Sequence, residues 1–185
     1  MGLSIVDGTG TSNEAKVNSE NKLECLCVEE VLFFHINHTH GEVYRMLFDK
    51  DPDGNDDCIV YIKNSDDKDL IINGAMIAVS GACEITLKLG VTGTPIGGSD
   101  VIPANMNAGS GNIATGTFQH GVDITGLSGG TNIEVVKIIA AAGSTEFKPD
   151  SNIILPKNST FAAYVDTAGV IVEGYISFGY HDGND

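Results

Sequence analysis

Residues 58–94 read Cys-Ile-Val-Tyr-Ile-Lys-Asn-Ser-Asp-Asp-Lys-Asp-Leu-Ile-Ile-Asn-Gly-Ala-Met-Ile-Ala-Val-Ser-Gly-Ala-Cys-Glu-Ile-Thr-Leu-Lys-Leu-Gly-Val-Thr-Gly-Thr. Three apolar runs are separated by two turns. Ile59 to Ile62 is continuously apolar, β-branched and aromatic, as a strand covered on both faces must be. Asn64 to Asp69 is a polar turn whose Asn and Asp side chains can bond their own backbone. Leu70 to Val79 is a second long apolar run, ended by Ser80-Gly81. Ile85, Leu87 and Leu89 then alternate with Glu84, Thr86 and Lys88, so one face of that strand is buried and the other wet. The stretch predicts an antiparallel meander within a β-sandwich.

The same signals recur outside it. Tyr44 to Phe48, Ile133 to Ala141, Ile153 to Leu155 and Phe161 to Val165 each suit a strand. The clearest is Val170 to Tyr180, where Val170, Val172, Ile176, Phe178 and Tyr180 alternate with Ile171, Glu173, Tyr175 and Ser177. Strands at roughly 10–15-residue intervals with turns between them predict an all-β, antiparallel, jelly-roll-like sandwich. Residues 23–185 are expected to form that domain, and residues 1–22 an extended N-terminal arm. Leu23 to Val28 fits a strand. Glu29 to Ile36 fits helix and strand equally. The region from Val91 to Thr131 is rich in Gly, Ser, Thr and Asn, and too long to be one structureless loop. One short strand is expected in it, near Ile113 to Phe118, with Gly126 to Gly130 in loop.

The 185 residues are enough for one domain with a core that needs no staples. Twenty-three glycines, no tryptophan and few helix formers fit short strands joined by glycine turns. The formal net charge of −15 repels phosphate, which argues against nucleic acid and anionic membrane as partners. The start lacks a cationic region and an apolar core, and no apolar run approaches a membrane span. The four cysteines are then expected as reduced thiols in a cytoplasm where the chain is made.

Candidate chemistry is sparse. Asp49-Lys-Asp51-Pro-Asp53-Gly54 matches the first half of a calcium loop, in which carboxylates at alternate positions converge on one hard cation. Its twelfth position is Val60 rather than Glu, which favours a plain acidic turn with no cofactor; calcium at Asp49, Asp51 and Asp53 is the alternative. His35, His38 and His40 lie close, and His38 and His40 would share a face if the segment were a strand. Cys25 and Cys27 make a lone C-x-C pair; Cys58 and Cys83 read as small core residues. Gly126-Leu-Ser128-Gly-Gly130 formally matches a nucleophile elbow, but a strand-like segment follows it where a helix is needed.

Asp7-Gly-Thr-Gly-Thr-Ser-Asn-Glu-Ala-Lys-Val17 with Asn21-Lys-Leu-Glu24, Gly41-Glu-Val-Tyr44, Ile59-Val-Tyr-Ile-Lys-Asn64 with Lys68-Asp-Leu-Ile-Ile72, Ile102-Pro-Ala-Asn-Met-Asn-Ala-Gly-Ser-Gly-Asn112 and Ile153-Ile-Leu-Pro-Lys-Asn-Ser-Thr160 occur in this order along the chain. Together they resemble the virion structural proteins of tailed phages. The resemblance implies a non-enzymatic capsid decoration, or cement, protein on the outer surface of a major capsid protein shell. It would be a homo-oligomer, a trimer among the options, with the arm and the glycine-rich loops laid across neighbours. The alternative is a receptor- or carbohydrate-binding module of a tail fibre or spike, and a small hydrolase is the third reading. The chain departs from the pattern at Cys25-Leu-Cys27 and at the histidines, where no role carries over.

Overall fold

The computed structural model describes residues 16–17, 23–24, 32–139, 143–147 and 152–182. The chain divides into two compact units, Met1–Val31 and Leu32–Asp185. In the first, Lys16–Val17 (β1) pairs antiparallel with Leu23–Glu24 (β2), Lys16 opposite Glu24. The rest of the expected arm, and the strand expected on to Val28, lie outside the described residues.

The second unit opens with one helical turn, Leu32–His35 (α1), which widens into a π-turn over Ile36–His40. Gly41 closes it in the left-handed region at φ 63°, donating its N–H to the Asn37 carbonyl at 3.1 Å. The strands follow as Val43–Lys50 (β3), Asp57–Asn64 (β4), Asp69–Val79 (β5), Cys83–Ile96 (β6), Ser99–Asp100 (β7), Ala104–Asn105 (β8), Gly116–His120 (β9), Thr125–Ile138 (β10), Gly143–Phe147 (β11), Ile153–Leu155 (β12), Thr160–Val165 (β13) and Val172–His181 (β14). They form an all-β sandwich of two antiparallel sheets. One sheet runs β11-β5-β14-β3-β8, with β12 also paired to β5; the other runs β10-β6-β13-β4-β9-β7.

The expected meander is not there. β4, β5 and β6 do not pair with one another: β4 and β6 lie in one sheet and β5 in the other. Alternation assigns each residue to a face, but it does not say which strand lies alongside. A buried side chain marks the first crossing. Asn64 is fully buried, and its Nδ2 donates to the Lys68 and Leu155 carbonyls, each at 2.8 Å, while its Oδ1 accepts the Asp66 N–H at 2.9 Å. The turn after β4 is thereby tied to β12 of the opposite sheet. At the second crossing, Ser80 and Ile171 bond reciprocally: the Ser80 N–H to the Ile171 carbonyl, the Ile171 N–H to Ser80 Oγ.

The doubly covered strand is as expected. Ile59, Val60, Tyr61 and Ile62 are all buried. A bulge opposite Ala163 and Tyr164 lets both Ile59 and Val60 join the main core, while Cys58 and Tyr61 pack on the sheet's other side with Val91, Ile124 and Ala162. Between the sheets Phe178 stacks on Tyr44 at 5.6 Å and on Phe118 at 5.1 Å, and the Tyr180 hydroxyl donates to the Thr115 carbonyl at 2.7 Å. Val172, Ile176, Phe178 and Tyr180 of β14 are buried as their alternation requires. Gly174 interrupts that series because the Met76 carbonyl oxygen lies 1.9 Å from where a Cβ would stand.

The glycine-rich region is more ordered than its composition suggests. The short strand expected near Ile113 is Gly116–His120, three residues beyond the expected start, and two further two-residue strands, β7 and β8, precede it where none was expected. Gly126 to Gly130 is strand rather than loop. It forms the first half of β10, paired to Val91–Ile96 of β6, with Gly126, Gly129 and Gly130 at positive φ. Glycine allows the backbone those angles without leaving the ladder.

Candidate functional site

The acidic turn is closed by a different aspartate from those the calcium pattern singled out. Asp49 sits on β3, directly across the ladder from Glu173, and Asp51 and Asp53 are exposed in the following turn. Asp57 is buried, and its Oδ2 accepts the Gly54 N–H at 2.6 Å. An added Cβ at Gly54 would meet Asp57 Oδ1 at 2.9 Å, so this close approach explains the glycine. Asp57 and Asp53 both lie within electrostatic reach of Asp123. The Asp123 carboxyl is raised by burial first, then by the other two charges. Among the described residues no three His, Cys, Asp or Glu side chains are grouped to hold a metal ion.

The histidines lie on the helical turn rather than a strand, so His38 and His40 do not share a face. His38 stacks on Phe34 with centroids 5.6 Å apart, and His35 meets His40 edge-on at 5.3 Å. Cys25 and Cys27 lie outside the described residues. Cys58 and Cys83 are free and buried. Burial pushes the Cys58 thiol up to about 12. Ser128, centre of the formal elbow motif, stands on β10 with its Oγ 3.3 Å from Thr92 Oγ1.

The most highly organised surface feature is the segment after β7, where the composition predicts loop. Asn105 Nδ2 donates to the Gly41 carbonyl at 2.8 Å, and Ser110 Oγ donates to the same oxygen at 3.0 Å. Asn107 Nδ2 donates to the Asn37 carbonyl and Asn112 Nδ2 to the His40 carbonyl, both at 2.8 Å. Four side chains thus bond the Asn37, His40 and Gly41 carbonyls at the end of the π-turn, that of Asn37 in addition to the Gly41 N–H. Within the segment, Asn105 Oδ1 accepts the Asn107 N–H and Asn107 Oδ1 accepts the Gly109 N–H. Gly41 is also sterically required, since an added Cβ would lie 2.6 Å from Ser110. The traceable signal was polar residues at 105, 107, 110 and 112, a spacing that suits Asx and Ser turns.

This rigid segment carries apolar side chains outward. Ile102 is 86% exposed, Ile113 75% and Met106 41%; Phe34, on the turn it clamps, is 61% exposed. A second surface feature lies on the outer face of the β5-β14-β3 sheet. It is an open groove of about 390 Å³ lined by Leu47, Met76, Ala78, Asp49, Glu173 and His120. Burial and the nearby Lys50 charge hold the His120 imidazole below its usual range, hence neutral at pH 7.

Comparison of the chain with protein-family models, curated proteins and solved structures found no match. No helix among the described residues is long and apolar enough to cross a membrane.

Proposed function

We propose that this chain is a non-enzymatic virion structural protein of the capsid-decoration kind, docked on the outer surface of a major capsid protein shell. The carrying observation is the clamped segment 101–113. Side-chain bonds hold its backbone from 105 to 112, and the Val101 and Met106 N–H groups bond the Phe118 and Val43 carbonyls, so the exposed Ile102, Met106 and Ile113 stand on or beside anchored backbone and little conformational entropy is lost on docking. The strand order supports the same reading. Counting β11 and β12 as one and setting aside the short strands β7, β8 and β9 at the sheet edges, the other eight strands of the two sheets lie as first-eighth-third-sixth against second-seventh-fourth-fifth. Such an order fits a jelly roll, an architecture used by viral capsid proteins. The acidic surface keeps such a protein off nucleic acid.

The test is binding to purified shells that lack the protein. Ile102→Asp and Ile113→Asp together should weaken binding at least about tenfold, the loss of two apolar contacts at a docking surface, with the melting temperature unchanged. Affinity equal to the parent chain would overturn the reading. The groove beside Leu47, with carboxylates and a neutral imidazole at an apolar floor, favours a second reading: a receptor- or carbohydrate-binding module of a tail fibre or spike. Copy number in purified particles separates the two. A count comparable with the shell protein means decoration, and a handful means a tail component.

A further inference from the structure

The sandwich ends on one side in β10, a 14-residue strand, and among the described residues no strand pairs with its outer edge. A row of unpaired N–H and C=O groups on an edge invites another strand. Soluble proteins usually block such edges with proline, inward charges or short strands. β10 has no proline, and only two charged residues of opposite sign, Glu134 and Lys137. Ile133 is 36% exposed, Val135 46% and the following Ile139 84%. In a chain of net charge −15, this long edge is locally neutral, so it can meet a copy of itself without the repulsion the rest of the surface imposes.

We propose that two copies of this chain pair antiparallel through Glu134–Ile138 of β10, joining their six-stranded sheets into one continuous sheet of twelve. The bulge between Asn132 and Glu134 limits the flat part of the strand to this stretch. A twofold axis perpendicular to the sheet keeps every side chain on its own face, so one residue must sit opposite its own copy. Centring on Glu134 or Lys137 would set like charges against each other, which is unfavourable. Centring on Ile138, where β10 ends, would pair the stretch at its end alone, so the axis passes at Val135 or Val136. This pairing holds whether or not the protein docks on a shell, and purified chain alone tests it.

Val135→Lys is the discriminating variant. With the axis at Val135 the new lysines face each other, and with the axis at Val136 each faces Lys137 of the other copy. Both registers lose affinity. Sedimentation equilibrium across the micromolar range should show a dimer for the parent chain and dimerisation weakened at least about tenfold in the variant, with unchanged far-ultraviolet circular dichroism. Val135→Glu then separates the registers, since only the axis at Val136 sets it against Lys137. A parent chain that stays monomeric, or a folded Val135→Lys variant that associates as the parent does, overturns the proposal. If the variant does not fold, amide exchange of residues 134–138 in the parent chain decides. Protection that rises with concentration supports the pairing, and protection independent of concentration overturns it.

Discussion

Asn64 shows how a single side chain can decide a connection. Its amide is buried between the end of one sheet and β12 of the other, with three hydrogen bonds to backbone groups. Asn64→Ala would strand the enclosed Leu155 carbonyl and free the turn that crosses the sandwich. A buried acceptor left unsatisfied costs about 1–3 kcal/mol, and the lost bonds to Lys68 and Asp66 add to it. We expect the variant to lose about 2–4 kcal/mol in urea unfolding. A loss below ~1 kcal/mol would mean that the crossing is held elsewhere. In the sequence, Asn64 reads as an ordinary turn residue, because nothing in Asn-Ser-Asp-Asp-Lys-Asp distinguishes a side chain that turns inward from one that faces water. Gly174 and Gly54 are similar. Each is explained by the close approach of an atom from another residue, Met76 O or Asp57 Oδ1, which a hydropathy pattern does not encode.

At the scale of elements, the strands were legible and their neighbours were not. Ile59 to Ile62, Ile153 to Leu155, Phe161 to Val165 and the alternating β14 all appear where their hydrophobic pattern puts them. Period-two burial is a local property, whereas pairing depends on which way a short turn carries the chain. The turns at 65–68 and 80–82 are both short enough for hairpins, yet both cross to the facing sheet. The glycine-rich half of β10 failed for another reason. It borrows its ladder from β6 and has almost no buried side chain of its own to reveal it. The clamp at 105–112 belongs to this scale too. Asn105→Ala removes the bonds to the Gly41 and Asn112 carbonyls. We expect faster amide exchange at Asn107 and Ser110 and a fall in melting temperature of about 2–4 °C, as for a loss of roughly 1 kcal/mol in a chain of this size. Shell affinity should fall as well, since the outward isoleucines lose their preset positions. Unchanged exchange at those amides would show that the segment holds itself without Asn105.

The whole molecule titrates as an alkali-sensitive body. Burial is the leading cause that raises Cys58, Tyr44 and Tyr164 each to about 12, and it pushes Tyr180 higher still. In the unfolded chain these groups lose their protons near their ordinary values, about 8.5 for the thiol and 10 for the phenols. Above pH 9 the unfolded state therefore binds fewer protons than the native state, and stability falls as pH rises toward 12. We expect the melting temperature to hold flat from pH 7 to 8.5 and to drop by at least about 5 °C by pH 11, a few kcal/mol at this size. A flat profile through pH 11 would contradict the enclosed phenols. The fold class was legible at this scale from composition and patterning. The clamp and the free edge of β10 were not, because both exist only once strands from distant parts of the chain lie side by side.

The placement of the last two strands has a consequence for synthesis. β14 lies between β5 and β3, and β13 between β6 and β4. Until residues 160–181 emerge from the ribosome, each sheet is two separated ribbons with greasy inner faces and no partner to zip them together. A nascent chain of this kind cannot mature piecemeal from its N-terminus. It waits, exposed, for its final segments to slot into the middle, so its yield in a cell should depend on whatever shields half-made chains during translation.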